Sequence, residues 1–384
     1  MKRFFQYASL LLAAVMLISC GGDGGSTDAG KTLKLTSDKN LIQTFGGDYA
    51  TLTVTLDGQQ IVEDVMFFDD NNELIDITDF KFSTTEVGEY SIWANYGTYT
   101  SETITIRAID IQIPSTPADP KPASTDFKTR ALITEFTTVG CSACPTMKKV
   151  LHEIESDATM ADMAVFTECH SGLVNAVADP CYLHNNAFEE FCVIGGFPTV
   201  KLDLAGNYNN GNNLDLKGDI AEVVAAKEEF APGIAVNSVL KDGKVVAKVT
   251  VKAKVTSSYR VGAFLVEDGI YAKQTNTSDE YMHTHNNVIR YVDAQYRGSF
   301  YGTPVADIAE GATGDAVFSW FLDEIWEYGS NMCEINGGGV KWPERKDENL
   351  HMVIFVTMSD GQGGYVVANA IDCPLNGETK FEYR

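Results

Sequence analysis

Short runs in which apolar and polar residues alternate with period two recur near the start of the chain. Thr51-Leu52-Thr53-Val54-Thr55-Leu56 is one, and Asp57-Gly58 then turns the chain back. Gly88-Glu89-Tyr90-Ser91-Ile92-Trp93-Ala94 and Thr103-Ile104-Thr105-Ile106 repeat the alternation, so residues 31–113 predict a small β-sandwich. The texture changes at Ala131. Ala131 to Phe136 reads as an apolar strand, and Met147, Val150, Leu151 and Ile154 follow at helical spacing. Apolar strands at 164–167 and 199–204, and a second amphipathic helix carrying Leu216, Ile220, Val223 and Val224, make residues 126–231 an α/β unit. Alternation returns at Val245 to Val251, Val261 to Val266 and Met352 to Thr357, which predicts a β-rich unit over 232–384. The stretch from about Thr303 to Lys346 is less regular.

Four prolines between Pro114 and Pro122 predict an extended, semi-rigid linker over 114–125, the clearest boundary in the chain. In the first segment, Gly88-x-Tyr90 ahead of an alternating strand resembles the tyrosine corner of immunoglobulin-like sandwiches. At the start, Met1-Lys2-Arg3 precedes an apolar run too short to span a bilayer, ending in Leu17-Ile18-Ser19-Cys20. This resembles the lipobox of bacterial lipoproteins. The resemblance implies a signal peptide over 1–19, lipidation of Cys20 and a glycine-rich tether over 20–30. Because Gly21 follows Cys20 where inner-membrane lipoproteins carry a retention aspartate, the expected address is the outer membrane of a Gram-negative bacterium, on its periplasmic or surface face.

Composition narrows the function. The chain has 384 residues, 44% of them hydrophobic, which suits two or three packed domains. Its 53 acidic against 29 basic residues leave a net charge of −24, which repels phosphate backbones and argues against a nucleic-acid partner. An envelope address lets disulfides persist, so the eight cysteines matter.

Cys141-Ser142-Ala143-Cys144 follows a strand and opens a helix, the context in which a C-x-x-C pair reads as redox-active. Helix-terminal N–H groups favour a thiolate at Cys141, and Cys144 lies one turn on, placed to resolve a mixed disulfide. Pro145 is compatible with the first helical turn, where its missing N–H has no intrahelical acceptor. Glu135 through Cys144 resembles the active-site strand and turn of thioredoxin-like proteins, and Gly196-Phe197-Pro198-Thr199-Val200 resembles their cis-proline loop. That resemblance implies a thioredoxin-like core over 126–231, with Cys141 and Cys144 as the redox pair, Glu135 as the buried acid that relays protons to Cys144, and Pro198 facing them. Gly140 replaces the usual tryptophan, and Ser142-Ala143 holds neither proline nor histidine, so the direction of the redox chemistry stays open. Together with His283-Thr284-His285-Asn286-Asn287-Val288-Ile289-Arg290, these features resemble the outer-membrane lipoproteins named after outer membrane protein twenty-eight.

Setting aside Cys20 and the redox pair leaves five cysteines. Cys333 and Cys373, both in the last segment, are expected to form a structural disulfide. At most two of Cys169, Cys181 and Cys192 can pair. With His170 and His184 these three offer zinc-type ligands, but they match no compact finger spacing, and an oxidising compartment favours disulfides. His283 and His285 would share one face of a strand and read mainly as polar surface, and His152 reads as solvated. Trp320, Trp326 and Trp342 read first as core. No metal and no cofactor is expected.

The fold expected is thus multidomain α/β plus all-β: a thioredoxin-like core between an N-terminal immunoglobulin-like sandwich and a C-terminal β-rich domain. The function expected is a membrane-anchored thiol–disulfide oxidoreductase acting on cysteine-containing envelope proteins with a further redox partner. The alternative is a cell-surface binding or scaffold lipoprotein whose thioredoxin fold is not catalytic.

Overall fold

The computed structural model describes residues 31–206, 208–209, 215–296 and 298–384. The leader, the lipidation site at Cys20 and the tether lie outside the described residues. The chain forms several β-sheets in two units, one of residues 31–39, 50–82 and 90–106, the other of 40–49, 83–89 and 107–384.

In the first unit the strands Leu33–Ser37, Ala50–Leu56 and Gln59–Ile61 pair antiparallel. Ala50, Leu52 and Val54 are buried while the threonines between them are half-exposed, the alternation expected of a sheet with one solvated face. Leu56 pairs directly with Gln59, so Asp57 and Gly58 form a two-residue hairpin loop. Both adopt positive φ (49° and 80°), which the right-handed strand twist favours. Met66–Phe68 pairs with Leu74–Ile75 and with the far end of Gly88–Tyr96, where Phe68 stacks on Trp93.

The second unit is built on a long mixed sheet. Ala131–Thr137 lies parallel to Ala164–His170 and antiparallel to Thr199–Leu202. Beyond Ala164–His170 the sheet continues without a break through Val288–Asp293, Ser257–Glu267, Leu350–Ser359 and Tyr365–Pro374. Segments 126–231 and 232–384 therefore share one hydrogen-bonded sheet. On one face the helices Cys144–Glu155 and Leu216–Lys227 bury Met147, Leu151, Ile154, Leu216, Ile220 and Val224 against Ala131, Ile133 and Val200. These are six of the eight positions that periodicity had put inward; Val150 and Val223 are only partly buried against the same core. On the other face Leu132, Phe136 and Phe264 belong to a larger core shared with a second sheet of Thr313–Phe321, Lys244–Lys252, Gly233–Lys241 and Gly377–Thr379.

Three expectations need correction. The proline-rich segment is irregular, but it is not a free spacer: Asp119 accepts from the buried Lys252 ammonium (2.7 Å) and the Tyr383 hydroxyl (2.6 Å), and Lys252 also donates to the Pro122 carbonyl. An unpaired lysine there would cost several kcal/mol, so Asp119 ties the segment to the sheet. The stretch after Thr303 contains a helix, Leu322–Asn336, that buries Leu322, Trp326, Gly329 and Cys333. Its apolar face includes a glycine because the Trp342 ring lies where a Cβ on Gly329 would sit, 2.0 Å away. Finally, Cys333 and Cys373 are not bonded. The Cys333 sulfur faces the Asp179 carbonyl (3.3 Å), whereas that of Cys373 faces the carbonyl of Met352, its cross-strand neighbour (3.4 Å). Each thiol is buried against a different backbone group, and burial pushes both thiol pKa values up.

Denaturing the oxidised chain without reductant and alkylating it should label Cys333 and Cys373 as free thiols. A peptide map with the two cross-linked would reject this arrangement.

Candidate functional site

Strand Ala131–Thr137 carries the chain into the turn Thr138-Val139-Gly140-Cys141, and the helix begins at Cys144. Cys141 and Cys144 are disulfide-bonded, with Cα atoms 5.4 Å apart. The Cys144 amide donates to the Cys141 sulfur (3.1 Å), so a helix-terminal N–H does reach that atom. Pro145 occupies the first helical turn. The Phe197–Pro198 peptide is cis. Pro198 is buried and immediately precedes Thr199, which pairs with Phe136, so the proline stands level with Thr137 at the strand end that leads to the cysteines.

Exposure departs from expectation. An attacking cysteine should be accessible, yet Cys141 is only 4% exposed and Cys144 1%. The reason is a cover contributed from residues 272–276. The side-chain amide of Gln274 donates to the carbonyls of Val139 (3.2 Å) and Cys141 (3.0 Å) and lies 3.4 Å from that of Thr138. Thr275 N–H donates to the Val139 carbonyl and the Asn276 side chain to the Ser142 carbonyl. From a second loop Asn175 donates to Gly140. Gln274 is itself held, its backbone N–H donating to Nδ1 of His283 (3.1 Å). His283 therefore supports the cover and does not share a strand face with His285.

Glu135 points to the helix side of the sheet, and neither of its carboxyl oxygens has a hydrogen-bond partner among the described residues. Burial, reinforced by the neighbouring Glu168 carboxylate, pushes its pKa up to about 8, so it is neutral at pH 7. No hydrogen bond joins it to either cysteine. It lines a cavity of about 280 Å³ with Lys148, His152, Glu155, Glu168 and Tyr281. Burial and Glu168 likewise push Glu155 up to about 7. His152 is exposed and stacks on Tyr281.

Glu168, the register partner of Glu135 on the parallel strand, behaves oppositely. Burial would raise its pKa, but the Lys148 ammonium (3.1 Å) and the His170 imidazole (3.2 Å) hold it well below the usual carboxylate range, with His285 Nδ1 also 3.2 Å from it. His170 lies between Glu168 and Asp179 (2.9 Å). Those two carboxylates outweigh its burial and raise it to about 9. Asp179 also accepts from the N–H groups of Val139 and Cys181, and together with His170 these keep it ionised despite burial. His285 receives Lys148 at Nδ1 (2.9 Å) and donates from Nε2 to the Ala272 carbonyl, and burial lowers its pKa.

The pair, Glu135 and Pro198 thus gather on one strand, its neighbour and the following turn. The sequence reading missed Lys148, Glu168, Asp179 and Gln274, which have no motif. It also grouped the histidines and cysteines differently. Cys169 and Cys192 lie in the core on the opposite sheet face, and His184 pairs with the Tyr182 hydroxyl. His170, Cys181 and His285 converge instead. Arg290, from the same motif as His285, is buried against Glu267 (2.7 Å) and over the Trp342 ring. Trp320, Trp326 and Trp342 are core residues.

No family model matches the chain, and no curated protein matches it. Among solved structures, HBP35 of Porphyromonas gingivalis is similar over 65% of this chain and 76% of its own, at 14% identity and a TM-score of 0.48. Protein AGR_C_4864 from Agrobacterium tumefaciens is similar over 68% of this chain and all of its own, at 12% identity and a TM-score of 0.40.

Proposed function

We propose that the chain is a thioredoxin-like thiol–disulfide oxidoreductase of the cell envelope, anchored to the outer membrane through a lipidated Cys20 and related to the lipoproteins named after outer membrane protein twenty-eight. The observation that carries the reading is the Cys141–Cys144 disulfide at a strand-to-helix turn, with a cis-proline on the adjacent antiparallel strand. In the reductive direction the Cys141 thiolate attacks a substrate disulfide, forming a mixed disulfide and expelling one substrate thiolate. Cys144 then attacks the Cys141 sulfur, which releases the second substrate thiolate and closes the ring. A redox partner must return two electrons to the pair. Running the steps backwards oxidises a substrate dithiol. Glu135, neutral at rest, is the proton store on the strand that leads into the turn of the pair. No helix among the described residues is long and apolar enough to cross a membrane.

One observation favours the alternative, a binding or scaffold lipoprotein: both cysteines are buried, and Gln274 and its neighbours bond the backbone on either side of Cys141. For exchange to occur the cover must open.

Three outcomes test these readings. Cys144→Ala should accumulate mixed disulfides at Cys141, seen as reductant-sensitive conjugates, while Cys141→Ala accumulates none. If neither variant captures an envelope protein and the pair neither reduces nor oxidises a model disulfide, the binding reading replaces the enzyme.

Gln274→Ala removes the amide that fastens the cover. Losing about 1.4 kcal/mol of closing free energy should speed alkylation of reduced Cys141 by about tenfold. An unchanged rate would mean that access does not run through this segment.

Because folding raises the Glu135 pKa from 4.5 to about 8, the stability it contributes is fully present below pH 4.5 and is lost as pH rises through 8. Glu135→Gln cannot ionise, so its melting temperature should gain on that of the unsubstituted chain between pH 5 and pH 9. Parallel melting curves across that range would show that Glu135 is not a neutral buried acid.

A further inference from the structure

His170 ends the Ala164–His170 strand, Cys181 lies in the loop that follows Asp179, and His285 ends the short Thr284–His285 strand. All three are fully buried at 0% exposure, and one ligand atom of each lies within 4.8 Å of those of the other two. The Cys181 thiol makes no disulfide and no hydrogen bond among the described residues. A buried thiol commonly packs as a small hydrophobe, but this one shares its surroundings with two imidazoles, two carboxylates and an ammonium group.

The surroundings orient each donor. Asp179 is fixed by the N–H groups of Val139 and Cys181 and takes Nδ1 of His170, which leaves Nε2 facing the cluster. His285 gives its Nε2 proton to the Ala272 carbonyl, so Nδ1 carries the lone pair. His170 Nε2 and His285 Nδ1 both lie 3.2 Å from the same oxygen, Oε2 of Glu168. A carboxylate or backbone carbonyl behind each metal-ligating imidazole is the arrangement that fixes its tautomer in metalloproteins.

We propose that His170 Nε2, His285 Nδ1 and the Cys181 sulfur form a three-ligand binding site for one zinc-type divalent cation, with the Glu168 carboxylate beside the two imidazoles. Two imidazoles and one thiolate match zinc and cobalt in hardness, whereas magnesium and calcium take oxygen donors alone. The Lys148 ammonium leaves His285 Nδ1 and keeps its other partner, Oε1 of Glu168.

Three protein donors would leave the fourth position to a water molecule, and complete burial of all three closes that position to a substrate. The ion would join the Ala164–His170 strand, the 179–181 loop and the 284–285 strand. Because His285 and Ala272 are hydrogen-bonded, it would also stiffen the cover over Cys141. The site stands whether or not the redox pair exchanges disulfides.

The test uses the full chain with Cys141–Cys144 kept oxidised, so that those sulfurs cannot ligate. Titration with Co2+ alone should give one equivalent bound, with tetrahedral d–d bands and a thiolate-to-cobalt charge-transfer band, and Zn2+ should displace it and raise the melting temperature. Cys181→Ser should abolish the charge-transfer band. His285→Gln should weaken binding by about tenfold or more, and Cys169→Ser should change neither. X-ray absorption of the zinc-loaded unsubstituted chain, which needs no variant to fold, should show one sulfur and otherwise nitrogen or oxygen neighbours. Failure to bind either metal, a zinc shell without sulfur, or a charge-transfer band that survives in Cys181→Ser would overturn the proposal.

Discussion

Two carboxyl groups, Glu135 and Glu168, stand opposite each other on adjacent parallel strands in the interior of the larger unit. Two buried carboxylates at that separation cannot both be charged. Leaving one unpaired ion costs several kcal/mol, whereas a neutral acid without a partner costs about 1–3. The asymmetry is settled by Lys148 and His170, both of which reach Glu168 and neither of which bonds Glu135. Glu168 is therefore the ion and Glu135 the acid. Around this choice the site is assembled. Lys148 fastens the helix that begins at Cys144, His170 leads through Asp179 to the Val139 amide, and His285 leads through Ala272 to the segment over the cysteines. Each path from Glu168 ends on an element that shapes the C-x-x-C turn.

That turn has both the features that make a thiol reactive and a reason for the pair to stay shielded. A helix-terminal N–H meets the Cys141 sulfur, as an attacking thiolate requires. The carbonyls of Val139, Gly140, Cys141 and Ser142, which would otherwise face solvent, are taken by the side chains of Asn175, Gln274 and Asn276 and by Thr275 N–H. These are neutral hydrogen bonds of modest net value, so the cover is held by several contacts that can be lost together. Gating of this kind reconciles a buried pair with exchange chemistry, and the same contacts in a permanently closed form would suit a scaffold.

The sheet explains why the C-x-x-C turn cannot be separated from the rest of the larger unit. The strand carrying Glu168 pairs with Val288–Asp293, and that strand continues into Ser257–Glu267 and Leu350–Ser359. The cover and His285 come from the connection between Ser257–Glu267 and Val288–Asp293. Residues far apart in the chain thus complete one site because their strands are neighbours in one sheet. The same layering holds Cys333 on a helix against the Asp179 carbonyl and Cys373 within a strand pair, each thiol satisfied by a different backbone group.

Local pattern was enough to place the strands at 50–56, 131–137 and 350–359 and the helices at 144–155 and 216–227: the first strand and the helices bury one face and show its period, whereas 131–137 and most of 350–359 are buried on both faces and read as apolar runs. The C-x-x-C turn and the cis-proline were legible for a similar reason: both are short motifs whose geometry is carried by their own residues. The Leu322–Asn336 helix was obscured by Gly329, a poor helix residue that is understood only once the Trp342 ring is seen against it. The docking of the proline-rich segment turned on Lys252, an ordinary lysine in sequence and a buried cation in the fold. The convergence of His170, Cys181 and His285, the opposite ionisation of Glu135 and Glu168, and the closure of Gln274 over Cys141 were decided by the tertiary structure alone. Each depends on strand order and on the charges that desolvation brings face to face, and neither is written in the spacing of residues along the chain.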